Sequence, residues 1–378
     1  MGFRTSSITA LLFFIFMGNL VAQPNRKGVP IVTNYEHFIT QGSEQNWCIT
    51  QDHRGILYVG NNDKGVLEYD GVEWRRIPVP KNPRVLSLVT ADNGTVYVGA
   101  DSEFGYLAPD RLGKMTYQSL SDTLDQEKYP FGDIWRSYYY QGKVYFCSYN
   151  IIFIYDQASE VLTMIETPEY TFFSFLIDGI LYSSSYGDGL MEYKNGTFSL
   201  AAGGEFFREK SITGLVAYDK NHLLAGTLGN GVYLYNRVNG SIDEDFVDKE
   251  LNDYFSIGNI SNISQVEESF VVSGFNGVVF INRDGEASEI ISEKENLLDK
   301  NVPSIYYNKE MDQTSPVWIA NYMGISKLEP TSPFRVFTES SGIEDFVNDI
   351  KLFNETLYVA TFNGLYYKSS TQTGTSFT

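Results

Sequence analysis

Trp47-Cys48-Ile49-Thr50-Gln51, Asp52-His53-Arg54-Gly55, Ile56-Leu57-Tyr58-Val59-Gly60, Asn61-Asn62-Asp63-Lys64-Gly65, Val66-Leu67-Glu68-Tyr69, Asp70-Gly71 and Glu73-Trp74-Arg75-Arg76-Ile77 form the stretch whose reading decides the fold. Four short runs of β-branched and aromatic residues alternate with turns of Asp, Asn and Gly, the pattern of an antiparallel meander. The second-strand word returns as Gly94-Thr95-Val96-Tyr97-Val98-Gly99, Gly142-Lys143-Val144-Tyr145-Phe146-Cys147, Gly179-Ile180-Leu181-Tyr182, His222-Leu223-Leu224-Ala225-Gly226, Phe270-Val271-Val272-Ser273-Gly274, Val317-Trp318-Ile319-Ala320 and Thr356-Leu357-Tyr358-Val359-Ala360. With Tyr58, Tyr97, Tyr145, Tyr182, Leu224, Val272, Trp318 and Tyr358 equivalent, the spacings are 39, 48, 37, 42, 48, 46 and 40 residues. A period of about 43 residues signals a propeller or a solenoid.

One such meander cannot bury both faces alone, and radial stacking of four-stranded sheets solves that. Solenoid rungs are normally shorter, so the expected fold is all-β, a β-propeller of four-stranded antiparallel blades. The 27 Tyr and 26 Phe suit packing between blades. Small residues ending the second strand, Gly60, Gly99, Gly226, Gly274 and Ala320, suit places where neighbouring backbones approach closely. No amphipathic helix of useful length is expected.

Residues 1–22 begin with one charge, Arg4, run through the apolar Ile8 to Met17 and end in Val21-Ala22, the layout of a secretory signal. Residues 23–44 form an N-terminal segment. Within it Pro30-Ile31-Val32-Thr33-Asn34-Tyr35 resembles the outer strand that follows a blade, as Pro333-Phe334-Arg335-Val336-Phe337 does, and so supplies a closing strand. Blades 1–7 then occupy 45–340, and 341–378 is an incomplete eighth repeat. Either eight blades close a single ring, or seven close and the eighth opens a second propeller beyond Thr378; the second arrangement is the expectation.

A formal charge of −19 opposes binding to nucleic acid or to anionic lipid surfaces. The two cysteines, Cys48 and Cys147, stand in strand words two blades apart, so they are expected as buried thiols rather than a disulfide. His37, His53 and His222 show no metal-ligand spacing, and no nucleophile-elbow word occurs. Thr90-Ala91-Asp92-Asn93-Gly94-Thr95 matches the turn of sialidase propellers only once, as good hairpin chemistry would. No catalytic residue, metal or cofactor is therefore expected. The loops joining second and third strands gather at one end of a propeller's channel, and their polar and aromatic residues are the candidate ligand contacts: Asn61, Asn62, Asp63, Asp101, Glu103, Phe104, Tyr186, Asp188, Asn230, Asn276, Asn321, Tyr322 and Asn363. Amides and carboxylates interleaved with rings suit an oligosaccharide or a peptide.

Asn46-Trp47 with Ile49-Thr50-Gln51-Asp52, Gly65-Val66-Leu67-Glu68-Tyr69-Asp70-Gly71-Val72-Glu73-Trp74, Glu103-Phe104-Gly105-Tyr106-Leu107-Ala108-Pro109-Asp110 and Phe131-Gly132-Asp133-Ile134-Trp135 resemble the two-component regulator propeller repeats, across about residues 30–378. That resemblance implies the periplasmic, extracytoplasmic sensor region of a Bacteroidetes-type hybrid two-component receptor, non-catalytic in itself and anchored in the inner membrane. Its implied partners are neighbouring receptor domains and a second copy in a homodimer of the full receptor. Two departures are visible: Ile151-Ile152 replaces the usual Gly turn of the third repeat, and Glu267-Glu268 replaces the Asp-x-Gly turn of the sixth. A propeller enzyme acting on polysaccharide or glycoside, and an envelope scaffold, are the alternative readings of the same blades.

Overall fold

The computed structural model describes residues 28–125, 127–309, 315–337, 341–343, 345–354, 356–369 and 377. The expected signal, residues 1–22, lies outside the described residues. The chain divides into two compact units, Pro30–Val336 and a second unit that contains Phe337–Thr378.

The first unit is a β-propeller. Its sheets are four-stranded antiparallel meanders, beginning with Asn46–Gln51, Leu57–Asn61, Val66–Tyr69 and Trp74–Ile77. The seventh is different in chain order. Ser304–Tyr307, Val317–Asn321 and Gly324–Glu329 take three places, and Ile31–Glu36 fills the fourth, from Ile31 opposite Glu329 to Glu36 opposite Gly324. The segment 333–337, read from sequence as an outer strand, forms none.

Innermost strands touch in order around an axis: Asn46–Gln51, Val85–Thr90, Arg136–Tyr140, Thr171–Ile177, Ile212–Ala217, Ile260–Val266, Ser304–Tyr307, and back to Asn46–Gln51. Seven sheets therefore close a ring. The core is divided accordingly, with one apolar cluster between each neighbouring pair of sheets. The cluster across the junction of last and first sheets holds Ile49, Val59, Trp74 and Trp318, with Tyr35 of the closing strand against it. Tyr35 lies 5.6 Å from Tyr69, 5.7 Å from Trp74 and 5.9 Å from Trp318, ring to ring.

Hydrogen bonds made by side chains cross the same junctions. Thr50 meets Thr90 at 2.9 Å, Ser87 Oγ donates to Ile134 O at 2.8 Å, Tyr138 Oη donates to Ser174 O at 3.2 Å, and Asn46 Nδ2 donates to Gly324 O at 2.9 Å. The approach of the inner strands explains the small residues. A Cβ on Gly60 would collide with Cys48 Sγ and stand 2.5 Å from Val85 O of the neighbouring sheet.

The degenerate turns are rebuilt locally. Ser148 Oγ accepts from Ile151 N at 3.1 Å where the third repeat lacks its glycine, and Glu267 takes φ 52° in the sixth. A helix the sequence reading did not expect, Lys249–Gly258, lies between the fifth and sixth sheets. Asp248 caps it by accepting from Leu251 N at 2.8 Å, and Leu251 and Phe255 enter the core. Tyr254 packs beside them, so the apolar stripe of the helix is one turn of three side chains within a polar segment. No helix among the described residues is long and apolar enough to cross a membrane.

The second unit holds a three-stranded sheet, Val347–Phe353, Thr356–Thr361 and Leu365–Ser369. Every residue of Val347–Phe353 is exposed, including Ile350, Leu352 and Phe353.

Two substitutions test this account in denaturant unfolding. Gly60→Val is expected to cost about 2 kcal/mol, because the branched side chain has no room between adjacent inner strands. Tyr35→Ala should cost about 2 kcal/mol by hollowing the cluster that the closing strand covers. Stabilities within about 0.5 kcal/mol of the parent would contradict the packing described.

Candidate functional site

Five of the innermost strands begin with a register shift against the second strand, between Asn46 and Cys48, Val85 and Ser87, Thr171 and Phe173, Ile212 and Gly214, and Ile260 and Asn262. A bulge places two residues opposite one and turns the extra side chain away from the sheet face. The skipped residues are Trp47, Leu86, Phe172, Thr213 and Ser261, and all five line one cavity at an end of the central channel. Trp135 and Arg136 of the third sheet and Pro303 and Tyr322 of the seventh complete its wall, so all seven sheets contribute. Leu228 and Phe275 join Tyr322 there from the loops between second and third strands. The cavity measures about 160 Å³, and below it a second of about 240 Å³ continues between the inner strands.

The mouth is aromatic. Trp47 lies 5.5 Å from Tyr322 and 6.0 Å from Trp135; Trp135 lies 6.1 Å from Tyr149 and 6.0 Å from Phe173; Phe173 lies 4.7 Å from Phe172. These half-buried rings form an arc running from the seventh sheet through the first and third to the fourth. Asn62 Oδ1 accepts from Trp47 Nε1 at 3.2 Å, which fixes the indole at the centre of the arc. Arg136 stands beneath, 4.5 Å over the Phe173 ring. Burial pushes its pKa below the usual arginine range. Burial likewise raises the Tyr322 hydroxyl, aided by Asp299, so it stays protonated as a donor at neutral pH. The cavity wall contains no Asp, Glu or His.

Of the residues proposed from sequence, the structure brings Tyr322 to the mouth and places Asn62 directly behind it. Several others are occupied by the fold. Asn61 is fully buried, its Oδ1 accepting from Ser43 N and Oγ and its Nδ2 donating to Ser43 O, Gln45 O and Asn46 Oδ1. Glu103 is buried, with Oε1 accepting from Tyr117, Ser119 and Ser121 hydroxyls at 2.7, 2.6 and 2.6 Å. Phe104 packs against Phe131, Phe146 and Phe153, and Asn321 Nδ2 donates to Ser326 Oγ at 3.1 Å inside the seventh sheet.

The remainder sit on turns outside the cavity wall. Asp63 pairs with Lys64 at 3.5 Å, Asp101 approaches Arg84 at 3.6 Å, and Asp188 accepts from Ser185 Oγ at 3.0 Å. Tyr186 is exposed, Asn230 Nδ2 reaches Leu228 O at 3.4 Å, and Asn276 Nδ2 reaches Tyr254 O at 3.4 Å. Asn363 is exposed in the second unit. Sequence reading missed the bulge residues, whose signal is apolar residues at consecutive strand positions, as in Trp47-Cys48-Ile49 and Phe172-Phe173.

His222 Nδ1 meets Asp219 at 2.9 Å at the edge of the fifth sheet, away from the channel. Among the described residues, no group of three His, Cys, Asp or Glu side chains gathers as metal ligands would. Cys48 and Cys147 are buried thiols in the first and third sheets.

No protein-family model matches the sequence, and no curated protein matches it. Solved structures do. An extracellular domain ascribed to a hybrid two component system of B. thetaiotaomicron superposes with a TM-score of 0.66 at 15% identity, covering 90% of this chain and 48% of that one. Another, ascribed to a one component system of the same organism, gives 0.62 at 18% identity, over 92% and 46%. Virginiamycin B lyase from Staphylococcus aureus gives 0.58 at 15% identity, over 79% and 99%. The chain is thus a β-propeller, a fold it shares with these extracellular domains and with a lyase. It spans just under half the length of the two extracellular domains.

The thiols offer a check on channel burial. Burial pushes Cys147 up to about 12 and raises Cys48 as well, with Arg136 pulling both the other way. Both are therefore neutral thiols at pH 8. An aromatic disulfide reagent is expected to leave native protein unlabelled on the minute scale and to titrate two thiols once guanidinium unfolds it. Rapid labelling of either thiol in the native state would show the inner strands to be less closed than described.

Proposed function

We propose that this chain is the ligand-sensing propeller of an exported bacterial signalling receptor, and that its ligand enters the aromatic mouth of the channel. The observation that carries the reading is the arc of Tyr322, Trp47, Trp135 and Phe173, half-buried rings that the seventh, first, third and fourth sheets bring to one opening. Rings left partly wet at the convergence of a rigid scaffold suit stacking on a sugar or a peptide side chain. A wall of aromatic and small side chains with one guanidinium suits binding. Likeness to ectodomains ascribed to one and hybrid two component systems supports the sensor class and, with the signal-like residues 1–22, a periplasmic setting.

In the same reading the exposed sheet Val347–Ser369 is the first blade of a second ring completed by residues after Thr378, and neighbouring receptor domains and a second receptor copy are the protein partners. Its wet apolar side chains, Ile350, Leu352 and Phe353, fit a blade whose neighbour is not yet in place.

A panel of oligosaccharides and short peptides, read by tryptophan fluorescence and calorimetry, tests the site. The ligand that binds is expected to lose roughly tenfold or more in affinity with Trp47→Ala. Binding indifferent to Trp47→Ala and to Phe173→Ala would place the ligand elsewhere, and turnover of any panel member would replace the sensor reading by an enzymatic one.

A further inference from the structure

Arg136 is a half-buried cation with no counter-charge among the described residues. It lines both channel cavities and so stands where they meet. Its Nη2 donates to Thr213 O at 3.1 Å and Ser261 O at 3.2 Å, in the fifth and sixth sheets, and its Nη1 to Trp135 O at 3.3 Å. These bonds to neutral carbonyls use three of five N–H groups and leave the charge itself uncompensated. Arg54, Arg75, Arg84, Arg237, Arg283 and Arg335 each meet a carboxylate within 4.0 Å. Arg136 meets none among the described residues, although the sequence carries 47 acidic side chains. A desolvated cation is costly unless paired, and an anion that reaches it gains in proportion to the water already excluded.

We propose that the channel mouth is a binding site for a ring-bearing carboxylate, its anionic group on Arg136 and its ring against the arc of Trp47, Trp135 and Phe173. The cavity of about 160 Å³ has room for a ring with its substituents. Stacking and charge then act on opposite ends of one small molecule: the rings accept any flat or CH-rich face, while the guanidinium selects the acid. Two sources share this chemistry, a sugar acid and an aromatic acid, including the corresponding terminal units of larger molecules. The inference rests on the channel mouth being the ligand site.

Calorimetric titration of the full chain at pH 7 with galacturonate and with 4-hydroxyphenylacetate, each beside its neutral counterpart, galactose and 4-hydroxyphenylethanol, decides it. At least one acid is expected to bind saturably and its counterpart at least roughly tenfold more weakly, as for loss of a charge-assisted hydrogen bond. Whichever acid binds identifies the source. Arg136→Lys, which keeps the charge but not the planar fork, should weaken the acid and spare the neutral compound, so the result does not hang on a variant that removes the strut. Equal binding of acid and counterpart, or no saturable binding of either acid, overturns the proposal. A neutral ligand that binds, weakens with Trp47→Ala and ignores Arg136→Lys overturns the carboxylate class and leaves the channel mouth as the site. Ligands indifferent to Trp47→Ala and Phe173→Ala remove the site itself, and the inference with it.

Discussion

The antiparallel ladder from Ile31–Glu329 to Glu36–Gly324 joins the beginning of the ring to its end, and the rest of the structure depends on it. A four-stranded sheet buries its faces only against neighbours, so an open array would leave the first and last sheets each with one apolar face in water. Bringing residues some three hundred positions apart into register is slow and entropically costly, but each doubling of loop length adds only about 0.6 kcal/mol. The cluster of Tyr35, Tyr69, Trp74 and Trp318 sealed at the junction offsets it. Once the circle is closed, each sheet keeps only short inner and outer edges and no blade face is left open.

Closure also creates the site. Seven inner strands held side by side define the channel, and behind them Gly60 and Gly99 of the second strands stand where a Cβ would strike the neighbouring sheet. At one end the bulges break the regular pairing. Each adds a residue to the inner strand without lengthening the second, and the added side chain, Trp47, Leu86, Phe172, Thr213 or Ser261, has only the channel to occupy. The repeated backbone device is thus common to five sheets while its side chains differ. Local variation at one bulged position per blade can change the mouth without disturbing the strands that carry it.

What could be read from the sequence follows from the range of each interaction. Strand words and turns are local: Gly55-Ile56-Leu57-Tyr58 announces a turn and a strand by period-2 patterning and turn chemistry alone, and its recurrence announces the propeller. The helix Lys249–Gly258 is hard to read because its apolar face spans a single turn, Leu251, Tyr254 and Phe255. The loops between second and third strands do meet at the mouth, but their asparagines were poor guides to it. Asn61 and Asn321 are turn residues whose amides are consumed by neighbouring chain. The residues that form the mouth were illegible because their direction depends on strand register. Trp47 would point into a blade if Asn46–Gln51 paired without interruption, and only the skipped pairing with the second strand turns it outward.

Arg136 shows how one residue can belong to scaffold and site together. A strut across the channel needs donors aimed at carbonyls of two different sheets, and the planar guanidinium supplies them in fixed geometry where an amide or an ammonium would satisfy fewer. Neutral hydrogen bonding alone would not call for a full charge in a place from which water is largely removed, since burial disfavours that charge and pulls its pKa down. Stacking against Phe173 returns part of the cost through the ring's quadrupole, and the carbonyl dipoles return more. The remainder is a standing preference for negative charge at the floor of an aromatic funnel, in a protein whose net charge of −19 repels anions nearly everywhere else. A channel that excludes anions at long range and prefers them at one point is selective by construction, because only a ligand with enough ring surface to hold the arc can overcome the approach and reach the charge.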